Sequence, residues 1–426
     1  MNNHESNFSA EQALLNMARQ TQDEFYFPDG SEIELTKAVK LSKDLKTEIK
    51  NIESISKSEI RTLVNLYYQV QDFRKASREQ IRAIEQHRSG SEKSSGNVAI
   101  LDWANSNMAV IEKGIVDSLE LICMSRPEGQ WLMMTSGIGP VLAAGLLGYY
   151  DISHAKYATS FISYGGLNDN NRPWLGREKS TQIINEILDG AKVITNDHVV
   201  DIAARTQWKY EYLLEKAFNQ EKQKWSKEDI IKACSKIPYN ADLKTHLWKV
   251  GASFQWLCNN PNSLYGRLFN ERRVLETQKN ERGEYAEQAA KKLREQNIGK
   301  GTEAYKCYSQ GKLPKAHITA RAMRWTEKIF VSHLFEEMYR VEYDQIPPRY
   351  YSLVHLEGQH NVEIEPEVPY HLTSEEKGTK DREKMLEELL KKREENEVKM
   401  KAVRKAKREA KALEEGETME DAKEFF

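Results

Sequence analysis

The sequence predicts an all-α protein, and three observations carry that expectation. Apolar residues recur at steps of three and four over long stretches, the spacing of an amphipathic helix face. Hydrophobic residues make up 39% of the 426 and charged residues 30%, a balance suited to helices with long exposed faces. The C-terminal part is dominated by Glu, Lys and Arg, its positive and negative charges nearly cancel, and opposite charges fall at helical spacing. A chain of this length has room for two or three domains.

Taken in order, residues 1–30 are polar and end in the turn signal Phe27-Pro-Asp-Gly30, which predicts a flexible N-terminus. Residues 31–126 read as a coiled-coil-like region. Its first seam is Ala38, Leu41, Leu45, Ile49 and Ile52; its second is Ile60, Leu63, Tyr67, Val70 and Phe73, continued by Ile81 and Ile84. A seam of this kind serves either self-association or packing within the same chain. Arg88 to Asn97 has linker composition. A further helix follows, with Ala104, Met108, Ile111, Ile115, Leu119 and Ile122 on one side, and Arg126-Pro127 ends it. Residues 127–345 form the next region, with an insertion at about 168–246. Within the insertion, helices are expected over Thr181–Leu188, Val199–Phe218 and Ser226–Cys234, with Ser226 as N-cap of the last. Glu281 to Gly301 reads as a charged, exposed helix, and Ala316 to Tyr339 as a helix with Ile318, Ala322, Trp325, Ile329 and Phe335 along one side. Residues 346–372 are irregular, with the compact part ending at Val368-Pro-Tyr370. Residues 373–426 are expected to form a solvated, charged helical tail, whose basic run Lys399 to Arg408 either touches nucleic acid or faces solvent.

The most specific pattern is Ser136-Gly137-Ile138-Gly139-Pro140 between two apolar helical stretches, a helix-hairpin-helix. The glycines permit a tight turn, and Pro140 suits the first position of a helix. Ile138 is expected between the two helices. The free N–H groups of the turn and helix start would then face a phosphate, giving a sequence-independent clamp on a nucleic-acid backbone. The alternative is a tight turn joining two core helices.

The order of motifs after the hairpin carries a resemblance. Gly137-Ile-Gly-Pro140 is followed by Ala143-Ala144, then Asp151-Ile-Ser153, then an aromatic helix ending in Tyr164-Gly-Gly-Leu167. This resembles the C-terminal domain of the DEDD-type insertion-sequence transposases, also called bridge-RNA recombinases. Leu247-Trp-Lys-Val-Gly-Ala252, Asn260-Pro-Asn-Ser-Leu-Tyr-Gly-Arg267 and the helix from Ala316 are similar to later parts of the same domain. The resemblance implies DNA or structured RNA as partner, helical dimer contacts, and origin in a mobile element or phage. Two features of that family are missing. No strand-rich nuclease domain with four acidic metal ligands precedes the hairpin, and the segment that holds the family's serine reads Asn168-Asp-Asn-Asn-Arg-Pro-Trp-Leu-Gly-Arg177.

Four sets of residues are candidates for function. The hairpin set is Ser136, Gly137, Ile138 and Gly139, with Lys156 adding a charge. The second set is Arg172, Arg177 and Lys179 around Trp174, where cations beside an aromatic suit phosphate and an unpaired base; a core position for Trp174 is the alternative. The third is Arg267, Arg272 and Arg273 with Lys315, His317, Arg321, Arg324 and Lys328, a local basic cluster unless Glu327 or Glu336 neutralises it. The fourth is catalytic, and its weak candidates are Ser180 and Ser235, neither in a matching motif.

Net charge is −2, so any nucleic-acid surface has to be a local basic cluster. Four widely spaced cysteines without a Cys-x-x-Cys argue against zinc and fit a reducing cytoplasm. The polar start predicts no signal peptide, and no apolar run is long enough for a membrane span. No cofactor is expected, with Mg2+ only for an active recombinase. The reading is a transposase-related DNA-binding protein and homo-oligomer. The alternatives are an active recombinase, with a non-matching serine or a nuclease partner in trans, and a structural protein in which the hairpin is a packing turn.

Overall fold

A computed structural model of the chain describes residues 55–87, 96–168, 174–348 and 364–424. The N-terminal segment 1–30, the seam from Ala38 to Ile52 and the candidate Arg172 lie outside the described residues. The described residues are overwhelmingly helical, as the spacing of apolar residues predicts.

Helices α1 (Lys57–His87) and α2 (Gly96–Met124) form an antiparallel hairpin. Arg126 Nη2 donates to the Ile55 carbonyl at one end, and Arg74 Nε meets Glu112 at 2.6 Å farther along. Ile60, Val64 and Tyr67 of α1 and Ile115, Leu119 and Ile122 of α2 are buried in the main core. Helix α3 (Pro127–Met134) leads through the Gly137 turn into α4 (Pro140–Tyr149), of which every residue from Val141 to Tyr149 is buried. A helix apolar all round has to run through the core, and α4 packs on α1, α2, α3 and α10 (Ala241–Trp256). A 3-10 turn at Ile152–His154, held by Asp151 accepting from the Ser153 amide, leads to α5 (Ala158–Tyr164). There Phe161 stacks on Tyr150 at 4.2 Å between ring centroids.

Residues 176–234 carry a second core of their own. It is built by α6 (Gly176–Ile187), α7 (Asn196–Thr206), α8 (Tyr210–Ala217) and α9 (Lys227–Cys234) around Ile184, Val199, Ile202, Leu213 and Ile230. Ser226 caps α9, accepting from the Asp229 amide. The single helix expected over Val199–Phe218 is broken at Gln207, whose φ of 58° is left-handed and stops α7. A two-residue antiparallel ribbon, β1 (Phe218–Asn219) with β2 (Lys224–Trp225), is the only sheet among the described residues.

After α10 come α11 (Leu264–Glu281), α12 (Ala286–Glu295), α13 (Glu303–Ser309) and the long α14 (Lys315–Tyr343). Phe330, Leu334 and Phe335 of α14 are buried in the main core, where Phe330 meets Trp131, Phe254 and Tyr265. Each such fully buried apolar side chain contributes about 1.5–3 kcal/mol relative to exposure. His333 lies between the Tyr265 hydroxyl and the Ile364 carbonyl, each at 2.8 Å. A carbonyl can only accept, so Nε2 carries the proton and neutral Nδ1 accepts from Tyr265; burial holds this imidazole down at about 4.

The compact part does not end at Tyr370. Thr373, Glu376, Leu386 and Arg393 are all buried, so residues 364–393 strap across the bundle before α15 (Arg382–Glu424) runs on. Specific polar contacts fasten the strap: Trp131 Nε1 donates to the Val368 carbonyl at 2.9 Å, buried Glu337 binds His371, and Arg340 pairs with Glu376 at 2.5 Å. Charge counting along the tail hides this, because the carboxylates and arginines that face inward are few among many that face solvent.

Candidate nucleic-acid interface

The hairpin forms the turn its sequence suggests. Gly137 has φ +88°, and a Cβ there would lie 2.7 Å from both Leu257 Cδ1 and Ser253 Oγ. Gly139, with φ −91°, is in ordinary extended backbone, so the need for glycine rests on Gly137. Ile138 is fully buried. Two of the donors at the turn are taken within the chain: the Ile138 N–H donates to the Thr135 carbonyl, and a carboxylate takes the other. The Ser136 N–H donates to Glu367 Oε1 at 2.9 Å, and the Leu264 N–H, at the start of α11, donates to Oε2 at 2.9 Å. Arg393 Nη2 closes the seat, at 2.7 Å from Glu367 and 2.9 Å from the Met134 carbonyl. Two backbone amides and a guanidinium thus converge on one carboxylate, the arrangement that would otherwise hold an external anion. Ser136 Oγ donates to the Asn262 carbonyl, and Ser253 Oγ to the Gly137 carbonyl at 2.6 Å.

The cations read from the sequence do not gather at this turn. Lys156 is exposed beside the Tyr157 ring, 5.4 Å from its centroid. Arg177 and Lys179 are exposed in the first turn of α6. Trp174 is not in the core; it is exposed, and its indole N–H donates to the Ser235 carbonyl. Arg267 is exposed near Glu271, and Lys315 is exposed at the start of α14. Arg321 and Arg272 turn inward on Glu276, at 2.6 and 2.5 Å. Burial pushes the Glu276 carboxyl up, but Arg321, Tyr285 and Arg272 outweigh it and hold the group below the usual range. Arg321 therefore spends its charge on a buried carboxylate.

Neither candidate serine has the partner a nucleophile needs. Ser180 is fully buried and its Oγ makes no hydrogen bond. Ser235 Oγ donates to the Ile231 carbonyl at 2.6 Å, a helix-end contact. Activation of a serine requires a base in hydrogen-bond reach. Among the described residues, no group of three His, Cys, Asp or Glu side chains comes together to hold a metal ion.

A different surface combines aromatics with cations. Helix α10 buries Leu243, Leu247, Val250, Gly251 and Phe254, which leaves Trp248 62% and Trp256 75% exposed on its other side. Indoles of this size are seldom left so open in a packed protein. Gly251 is the contact with α14: a Cβ there would lie 2.0 Å from Glu327 Oε1, so only glycine admits this carboxyl between the helices. Burial pushes Glu327 up to about 8, against the opposing pull of Arg324, Lys244 and Lys328. Burial favours the neutral carboxyl, while these three cations favour the ionised one. Lys244 lies one turn before Trp248 on α10, and Arg324 and Lys328 flank Glu327 on α14. The sequence pattern singles out Arg324 and Lys328 but holds Trp248 only as part of a motif block. A signal for the tryptophans is present all the same: on a helical wheel both fall opposite Leu247, Val250 and Phe254.

No protein-family model matches the chain, and comparison with curated proteins and with solved structures yields no match either. Among the described residues no helix is long and apolar enough to cross a membrane.

Proposed function

We propose that this chain binds nucleic acid without cutting it, with α10 and α14 as the contact surface. In this reading it is a transposase-related protein of a mobile element or phage, acting in the cytoplasm on single-stranded or locally opened DNA or on structured RNA. The observation that carries the proposal is the pair of exposed tryptophans on α10, Trp248 and Trp256, with Lys244 one turn before Trp248. Indole faces stack on unpaired bases and the cations meet phosphates, which gives binding that tolerates sequence. The test is fluorescence anisotropy of a labelled single-stranded oligonucleotide across a salt series. Affinity is expected to fall steeply as salt rises, because each neutralised phosphate releases counterion. Affinity that is absent at low salt, or flat with salt, contradicts the proposal.

A second reading is favoured by one observation, the Glu367 carboxylate in the hairpin seat. It makes the hairpin a docking point for the C-terminal strap in a structural or interaction protein. Glu367→Ala separates the roles. Loss of the carboxylate leaves Arg393 buried without its partner and is expected to destabilise the fold by about 3–5 kcal/mol. Lower thermal stability with unchanged nucleic-acid affinity assigns the seat to docking. Higher affinity in the folded variant shows instead that the emptied seat takes a phosphate.

A further inference from the structure

Lys249 is the one charged residue of α10 between the two exposed tryptophans; the segment reads Trp248-Lys-Val-Gly-Ala-Ser-Phe-Gln-Trp256. At 100° per residue, Trp248, Trp256 and Lys249 fall within an arc of about 100°. Leu243, Leu247, Val250 and Phe254, on the rest of the helix, are fully buried. The lysine therefore shares the open side of α10 with the indoles. It is half-buried, with its Nζ 2.9 Å from the centroid of the Tyr68 ring of α1. Tyr68 is held edge-on by Tyr67 at 5.2 Å, and Tyr67 is buried in the main core.

A lysine stem laid on a ring often serves to pack two helices together, but α1 and α10 share no packed seam among the described residues. Nor is the charge taken up. An ammonium carries three N–H donors, and among the described residues that of Lys249 makes no hydrogen bond and no ion pair. Burial holds the group below the usual lysine range; exposed Asp72 pulls the other way, and exposed Lys75 adds to the burial. A partly desolvated cation without an acceptor is unfavourable in the free protein, and it gains most from an anion brought to it.

We propose that Lys249 is a phosphate contact of the bound single strand, with Tyr68 as the residue that positions it. The proposal rests on nucleic-acid binding by α10 and names a backbone contact for it. Trp248 and Trp256 are separated by about 12 Å along the helix axis at 1.5 Å per residue. At about 3.4 Å per nucleotide of a stacked strand, that distance spans roughly three to four nucleotides. Bases stacked on the two indoles are thus joined by intervening phosphates, and Lys249 is the cation that α10 offers between them. Stacking platforms with a cation between them track a strand without reading its sequence. The Tyr68 ring, fixed by the core through Tyr67, keeps the ammonium at one place beside that path.

The experiment measures binding of a labelled single-stranded oligonucleotide across a salt series. It compares the full native chain with Lys249→Gln, Lys249→Arg, Tyr68→Leu and Lys222→Gln, the last an exposed lysine of the separate 176–234 core. Circular dichroism checks that each variant is folded. In Lys249→Gln the slope of log affinity against log salt is expected to become shallower by about 0.7, the share of one phosphate on a single strand. The change should be the same for oligonucleotides of different sequence. Lys249→Arg is expected to keep the native slope, and Lys222→Gln to change nothing. Tyr68→Leu is expected to weaken binding about two- to tenfold with the slope retained, the cost of ordering one freed side chain. A native slope in Lys249→Gln, or an equal loss of slope in Lys222→Gln, overturns the contact and leaves binding by α10 standing. Unchanged affinity in Tyr68→Leu overturns the positioning role. A native chain that does not bind, or whose affinity ignores salt, overturns binding by α10 and this contact with it.

Discussion

Glu327 shows how one residue sets the character of a surface. It is 3% exposed, lies against the Gly251 backbone and is pushed up to about 8 by burial. The unfolded chain ionises near 4.5, so the folded state binds the extra proton between the two values. The stabilisation is complete below about 4.5 and is lost as pH rises through about 8. Chemical denaturation at pH 5 and pH 8.5 is therefore expected to show a drop in stability that Glu327→Gln removes. An equal drop in the variant would place the titrating group elsewhere. Gly251→Ala is expected to cost about 1–3 kcal/mol, the usual penalty for forcing volume into a filled contact. Burial thus opposes the pull that Arg324, Lys244 and Lys328 exert on this carboxyl. Neither the burial nor the proton can be read from the sequence, where Glu327 is the obvious neutralising partner for Arg324 and Lys328.

At the scale of elements, the hairpin is a tight turn fixed from three directions, by Ser253 of α10 and Leu257 just after it, by the start of α11, and by the strap. Gly137→Val is expected to destabilise by roughly 2–4 kcal/mol, combining the left-handed backbone with the contacts to Leu257 and Ser253. Gly139→Ala is expected to cost less, because a φ of −91° is open to any residue; thermal melts of the two variants check the order. This turn, its flanking helices and the burial of Ile138 are legible from glycine, proline and apolar spacing alone. So is the seam of Ile115, Leu119 and Ile122 on α2. What is not legible is what each surface meets. The helix start after Ser263 and the carboxylate of Glu367 are far from Ser136 in sequence, and only the fold brings them to the same seat. Gln207 gives no turn signal in composition, so nothing in the sequence marks the break between α7 and α8. A core position is the usual one for an indole such as Trp174; a hydrogen bond to Ser235 holds it at the surface instead.

For the whole molecule, the main bundle, the 176–234 core and the strap leave the tryptophan side of α10 exposed among the described residues. We assign it to a nucleic-acid strand. The all-α class follows from periodicity, whereas the placement of exposed aromatics depends on which helix face the core takes, and a sequence with eight tryptophans does not announce which of them are outside. The central claim is that Trp248 and Trp256 stack on bases. It is tested most directly by intrinsic tryptophan fluorescence during titration with an unlabelled single-stranded oligonucleotide, in the native chain and in Trp248→Ala, Trp256→Ala and the double variant. Stacking predicts saturable quenching that shrinks in each single variant and is nearly abolished in the double variant. Each substitution should also weaken binding by about 1–3 kcal/mol, the usual worth of one stacked base. Full quenching and undiminished affinity in the double variant, with its fold intact by circular dichroism, would contradict it.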